Sequence, residues 1–264
     1  MENLAAIAKQ CRQKVLEMAY AAKDSHIGCA LSSVDVLVLL FFRVMNVNPE
    51  DPRFSERDRF ILSKGHAAAA LYAVMSARGF FPREALATFA QNGSELASHV
   101  ERKLPGVETN GGSGGHGLSI GAGMALAAQA DGANYRIFIL MGDGELQEGS
   151  VWEAAMFASS RNLSNLTLIV DRNGFQTWNK VDDIVAVESL VEKFRAFGWD
   201  ADEVNGHDFE RLGSVIERTG DRPHAIIART VKGKGVSFME GDGVWHSKSM
   251  SDEHYHRAMK EVQS

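Results

Sequence analysis

The stretch Arg136-Ile137-Phe138-Ile139-Leu140-Met141-Gly142-Asp143-Gly144-Glu145 decides the fold. Arg136 to Met141 reads as one continuous apolar strand, the pattern of a sheet buried on both faces. The turn Gly142-Asp143-Gly144-Glu145 follows, and a helix is predicted from about Gly149 to Arg161. Leu166-Thr167-Leu168-Ile169-Val170 then reads as a second buried strand, ending in Asp171-Arg172-Asn173-Gly174. This is a β-α-β unit with polar residues just past both strand ends, where ligands of open α/β sheets usually sit.

Working outward, residues 4–22 carry apolar side chains at helical spacing, and a turn follows at Asp24-Ser25-His26-Ile27-Gly28. Ser33 is expected to cap a second helix running to about Val44. Phe60 to Ser63 reads as a short strand, followed by a helix from about Ala67 to Ala77 that stops at Gly79. Residues 91–117 are glycine-rich and aperiodic, and a loop that long inside a compact domain is usually functional or disordered. A small-residue helix is expected from Ser119 to about Ala130. Beyond the central unit come a helix near 188–197, a strand near 200–204, a helix near 208–217 and a strand near 224–230. No linker divides the chain. The expectation is a single α/β domain over residues 1–264, a doubly wound, mainly parallel sheet flanked by helices.

Composition narrows the function. With 45% apolar and 23% charged residues the chain can form an ordinary globular core. The net charge of −6 and the lack of any basic stretch speak against nucleic acid. Cys11 and Cys29 offer no disulfide framework. Met1-Glu2-Asn3-Leu4 shows no secretion signal, and the most apolar run, Val34 to Phe42, contains Asp35 and is too short to span a bilayer. A cytoplasmic protein without a membrane role is expected.

Asp143, set between two glycines after a buried strand, can offer oxygen to a hard cation such as Mg²⁺ or Ca²⁺. Gly142 and Gly144 would permit close backbone approach and unusual dihedrals. Asn173 can supply a second oxygen and the Phe175 carbonyl a third, so that the ion bridges to a diphosphate. The same turn also reads as a plain strand-to-helix turn with a capping Asp, and these residues alone do not name the ligand.

Gly142-Asp143-Gly144, a spacer and Asn173-Gly174 resemble the thiamine diphosphate (ThDP) motif of thiamine enzymes. Leu62-Ser63-Lys64-Gly65-His66-Ala67, Leu104-Pro105-Gly106-Val107-Glu108, Gly142 to Gly149 with Trp152-Glu153-Ala154, and Val231-Lys232-Gly233-Lys234-Gly235-Val236-Ser237-Phe238 resemble transketolases. The resemblance runs from about residue 10 to 250. It implies ThDP as cofactor, with Asp143, Asn173 and the Phe175 carbonyl on the metal. It implies that His66 and His246 lie near the diphosphate, and that His26, His99 and His246 face the substrate. Singly, each histidine reads as structural; imidazole nevertheless suits proton transfer near neutrality. Glu148 and Glu153 resemble residues at the meeting of two subunits' cofactor sites, Glu153 reading equally as an exposed helix carboxylate.

Three departures stand out. Arg172 replaces a frequent Asn that is not the expected metal ligand. In Asn110-Gly111-Gly112-Ser113-Gly114-Gly115-His116-Gly117, Gly114 and His116 stand where relatives have Leu and Gln near the cofactor. Trp178 stands where relatives are smaller or charged. Transketolases also have pyrimidine-binding and C-terminal domains, for which this chain has no length. A partner subunit carrying them, in an α₂β₂ assembly, is therefore expected, with this chain inactive alone. The implied reaction is transfer of a two-carbon ketol unit from a ketose or ketose phosphate to an aldose. The alternatives are another ThDP enzyme subunit, either the α type of a 2-oxoacid dehydrogenase or a transferase to an unusual acceptor, and a non-catalytic scaffold.

Overall fold

The computed structural model describes residues 3–264, so the reading of Met1 and Glu2 as free of a secretion signal lies outside the described residues. Helices α1 (Leu4–Ala22) and α2 (Ile27–Leu39) precede strand β1 (Arg59–Leu62), and α3 (Ala68–Arg78) and α4 (His116–Ala130) lead to β2 (Ile137–Gly142). Helix α5 (Gly149–Ser160) connects β2 to β3 (Leu166–Arg172). A small hairpin of β4 (Phe175–Gln176) and β5 (Asn179–Lys180) follows, then α6 (Val181–Ile184), α7 (Leu190–Ala196) and β6 (Asp200–Asn205). The chain continues through α8 (Phe209–Ile216), β7 (His224–Arg229) and α9 (Asp252–Gln263).

The main sheet has the order β1-β2-β3-β7-β6, with every pair parallel. Parallel neighbours need crossover connections, and helices supply them on both faces. Alternation along β2 decides which face each residue serves. Phe138 and Leu140 join the core under α1, α2 and α3, while Ile137, Ile139 and Met141 join the one under α4, α5 and α7. Burial on both faces is why the strand has no polar alternation, and it bears out the doubly wound expectation.

Helix α1 starts where Asn3 Oδ1 accepts the Ala6 N–H at 3.1 Å, and α3 stops at Gly79, whose φ of 99° is left-handed. The expected cap at Ser33 is wrong. Helix α2 already begins at Ile27, and the Ser33 hydroxyl donates back to the Cys29 carbonyl at 2.9 Å. Tertiary burial of all thirteen residues of α2 outweighs the local capping preference of serine. Helix α4 likewise starts a turn before Ser119, at His116, behind Gly115 at φ 81°.

Helical structure continues from α2 through a π-turn to Val44. This 18-residue segment, Ile27–Val44, is long and apolar enough to cross a membrane, which the shorter run Val34–Phe42 concealed; 89% of it is buried inside the fold. No other helix among the described residues meets that length and composition. Asp35 is tolerated within it because Arg12 Nη2 and His207 Nδ1 both lie 2.6 Å from its Oδ2.

Candidate functional site

Strands β1, β2 and β3 end side by side, carrying Ser63-Lys64, Gly142-Asp143 and Asp171-Arg172-Asn173 to one edge of the sheet. A cavity of about 250 Å³ opens there, with Lys64, His66, Asp143, Asn173, Phe175 and His246 in its wall. A wider depression of about 560 Å³ lies around Trp199, Asp202, Arg218 and His224. Three of its polar groups are engaged with one another: Arg218 pairs with Asp202, and His224 Nε2 lies 2.9 Å from the same carboxylate. The smaller cavity is the one that gathers residues expected from the sequence.

The glycine turn works differently from expectation. Gly142 is extended (φ −79°, ψ 152°), and Gly144 is not in the left-handed region either, so unusual dihedrals are not what these positions need. Space is what they provide. A Cβ on Gly144 would lie 2.9 Å from Gln176 Cγ, and one on Gly142 would meet nothing closer than 3.7 Å, taking up cavity space instead. Glu145 holds the turn in place: its carboxylate accepts from Ser63 Oγ at 2.6 Å, Gly142 N at 2.7 Å and Gly115 N at 3.0 Å. Neither Glu145 nor Ser63 was expected in such a role from the sequence.

Asp143 is 1% exposed. Its Oδ2 accepts from Gly174 N at 2.7 Å and from Arg172 Nη1 at 3.0 Å, and its Oδ1 accepts from Gly144 N at 2.9 Å. Burial, reinforced by the nearby Asp171 carboxylate, still pushes its pKa up to about 6, because these outweigh the Arg172 charge and the Gly174 amide. Asn173 is oriented from both sides: Nδ2 donates to Asp171 Oδ2 at 2.9 Å and Oδ1 accepts from Phe175 N at 3.1 Å. Each carboxylate and amide oxygen retains lone-pair capacity, so Asp143 and Asn173 fit a hard divalent cation. Gln176 stands in the same wall, and its buried Oε1 lacks a partner in the fold.

Beneath Asn173 lies a group that sequence spacing did not reveal. Asp171, fully buried, pairs with the Lys64 ammonium and accepts from Thr230 Oγ1 and, at 2.7 Å, from Ser32 Oγ. Lys64 also donates to the Cys29 carbonyl at 3.2 Å. Arg172 ties Asp143 to Asp182 at 3.1 Å and Glu188 at 3.0 Å, so the departure from the family pattern braces the turn from outside.

The four histidines, far apart in sequence, converge. The His26 ring centroid lies 5.6 Å from that of His66, 5.2 Å from His99 and 5.4 Å from His246, and His66 and His246 are 5.3 Å apart. The Asp24 carboxylate, 3.5 Å from His26 Nδ1, holds that imidazole above its ordinary pKa; the distance is long for a hydrogen bond, so charge attraction carries the effect. Burial and then the neighbouring His26 charge push His99 down. Lys232, also in the interior, donates to the Thr177 carbonyl at 2.8 Å.

Other expected residues fall at the margin. Gly114 and Glu148 line the cavity, with Glu148 exposed. His116 is exposed as the first residue of α4 and is not part of the cavity wall. Glu153 is an exposed residue of α5, and Trp178, 61% exposed, donates its Nε1–H to Ser247 Oγ beside the mouth.

The family profile of the transketolase thiamine diphosphate binding domain matches residues 4–262. The chain is 43% identical to one of the subunits of the apulose-4-phosphate transketolase of Phocaeicola vulgatus, over 99% of this chain and 94% of that one. It is 39% identical to the SqwG subunit of the 6-deoxy-6-sulfo-D-fructose transketolase of a Clostridium species, over 97% of this chain and 94% of that one. The crystal structure of transketolase from Campylobacter jejuni superposes with a TM-score of 0.93 and 31% identity, covering all of this chain but only 43% of that enzyme's length. With a profile match over nearly its whole length, a shared fold and a glycine turn at the strand ends, the chain belongs to the transketolase family, as its thiamine diphosphate binding domain.

Proposed function

We propose that this chain is the diphosphate-binding subunit of a two-subunit, metal- and ThDP-dependent transketolase that moves a two-carbon ketol unit from a ketose to an aldose. The observation that carries this reading is the cluster of four imidazoles, two of which, His66 and His246, stand in the wall of the cavity that also contains Asp143 and Asn173. A plain strand-to-helix turn needs no such cluster. Asp143, Asn173 and the Phe175 carbonyl would hold Mg²⁺ (or Ca²⁺) against the diphosphate. Gly142, Gly144 and Gly114 leave room for it, and His66 and His246 donate to its oxygens. Bound ThDP supplies the carbon nucleophile for carbon–carbon bond cleavage.

His26, His99 and His246 face the substrate oxygens in this reading. His26, held above its ordinary pKa, suits proton donation, and His99, held below it, stays neutral and accepts. His116 stays outside the binding set because, exposed at the start of α4, it is neither in the wall nor among the clustered imidazoles. Glu148, exposed at the rim, is assigned to the junction with the partner.

The two relatives that are themselves single subunits are nearly the length of this chain. By that likeness a second subunit carries the pyrimidine-binding and C-terminal domains, and the two-fold symmetry of such oligomers gives α₂β₂. Cys11 and Cys29, both free, suit a reducing compartment, and on that ground we assign the protein to the cytoplasm. The test is to pull the tagged chain from its native cells and assay two-carbon transfer from xylulose 5-phosphate to ribose 5-phosphate with added ThDP and Mg²⁺. A co-purifying partner together with transfer supports the reading. A chain that recruits no partner and binds no ThDP contradicts it.

A further inference from the structure

Cys29 lies on α2 one turn beyond His26, and its side chain reaches the cavity wall. Its Sγ is 3.2 Å from His246 Nδ1, and with a ring nitrogen of His66 these three ligand atoms all lie within 4.8 Å of one another. A tetrahedral ion with a metal–sulfur bond near 2.3 Å and metal–nitrogen bonds near 2.0 Å needs S···N spacings of about 3.5 Å. The Cys29–His246 pair, at 3.2 Å, is close to that spacing, and His66 completes the set from within 4.8 Å.

The donor set also differs from that at Asp143 and Asn173. Carboxylate, amide and carbonyl oxygens suit Mg²⁺, whereas one thiolate and two imidazoles suit a softer, borderline cation. The Lys64 charge is matched by Asp171, and exchanging the thiol proton for a dication adds one positive charge.

We propose that Cys29, His66 and His246 form a second metal site, selective for Zn²⁺-like cations, that binds in competition with ThDP and so lets such a cation block cofactor access. Three protein ligands leave the fourth position to water. The competition rests on the proposed function in one respect, that His66 and His246 face the diphosphate.

The test uses the full chain with its partner, reduced and metal-free, titrated with Co²⁺ as a spectroscopic substitute. One equivalent should produce a thiolate-to-cobalt charge-transfer band that Zn²⁺ removes, that Cys29→Ser abolishes and that Cys11→Ser leaves in place. With Mg²⁺ then added for ThDP binding and free Zn²⁺ at 100 times its own Kd, the apparent Kd for ThDP should rise about 100-fold by mass action. Binding without the band, or a band that survives Cys29→Ser, overturns the site. A band with ThDP affinity unmoved by Zn²⁺ overturns the competition. ThDP that fails to bind with Mg²⁺ present and Zn²⁺ absent contradicts the proposed function instead, while the band still decides the metal site.

Discussion

Replacing Asp171 by Asn should separate what holds the site together from what holds the cofactor. Asp171 and Lys64 have side chains 0% and 1% exposed and pair directly, so removing either charge leaves the other buried without its ion-pair partner. Burial works to raise the Asp171 carboxyl, and Lys64, with Thr230 and Ser32, outweighs it and holds it below the usual carboxylate range. Removing one member of a buried pair costs about 3–5 kcal/mol because the other is left unpaired. In a chain of this size that corresponds to a melting point lower by about 6–20 °C. Making both positions apolar, Lys64→Met with Asp171→Leu, should recover most of that loss. Asn173 Nδ2 would still lack its acceptor, 2.9 Å away in the native protein, so Mg²⁺-dependent ThDP binding should stay weaker by about tenfold, the equivalent of roughly 1.5 kcal/mol for a hydrogen bond to a charged group. The sign with pH is fixed as well. A depressed carboxyl pKa gives stability that is present above the unfolded value, about 3.9, and lost as pH falls through the folded one. The advantage of the native pair over Asp171→Asn should therefore shrink in acid. Thermal unfolding by circular dichroism and calorimetric ThDP titration read both effects. An Asp171→Asn melting point within about 2 °C of the native one would refute the reasoning.

Gly65→Ala should destabilise the chain by about 1–3 kcal/mol, since the new Cβ would lie 2.3 Å from the Gly111 carbonyl carbon and 2.5 Å from Gly112 N; an unchanged melting point would show that this backbone yields freely. Asp24→Asn should lower the His26 pKa, followed by NMR titration, because the carboxylate is what raises it. A raised histidine pKa gives stability present below the unfolded value and lost as pH rises through the folded one, so the native protein's advantage over Asp24→Asn should fade on raising the pH. His26→Ala and His99→Ala should keep ThDP affinity in calorimetry but lower donor turnover; lost affinity with intact donor kinetics would reverse their assignment.

The central β-α-β unit was legible because strands buried on both faces show as unbroken apolar runs, and the run ending at Met141 has no other reading. The polar residues after β2 and β3 followed from topology alone. Helix starts were less legible: Ser33 offered a local capping signal that burial of the whole of α2 overrode. The β4–β5 hairpin is too short for periodicity to register. Helix α9 was missed although Ser251 accepts from the His254 N–H at 3.2 Å and Ala258 and Val262 sit one turn apart on its buried side, a signal the sequence does contain. The histidine cluster and the Lys64–Asp171 pair join residues far apart in the chain, and no local pattern encodes such meetings. Family likeness anticipated the histidines, and nothing in the sequence reading anticipated the pairing of Lys64 with Asp171.

The central claim, that this chain supplies the diphosphate and metal half of a ThDP site, is tested most directly by calorimetric titration of ThDP into the purified complex of the chain with its partner, with and without Mg²⁺, for the native protein and for Asp143→Ala. Saturable binding that requires Mg²⁺ and disappears in Asp143→Ala is the expected result. Binding that ignores Mg²⁺, or that survives Asp143→Ala unchanged, would contradict it.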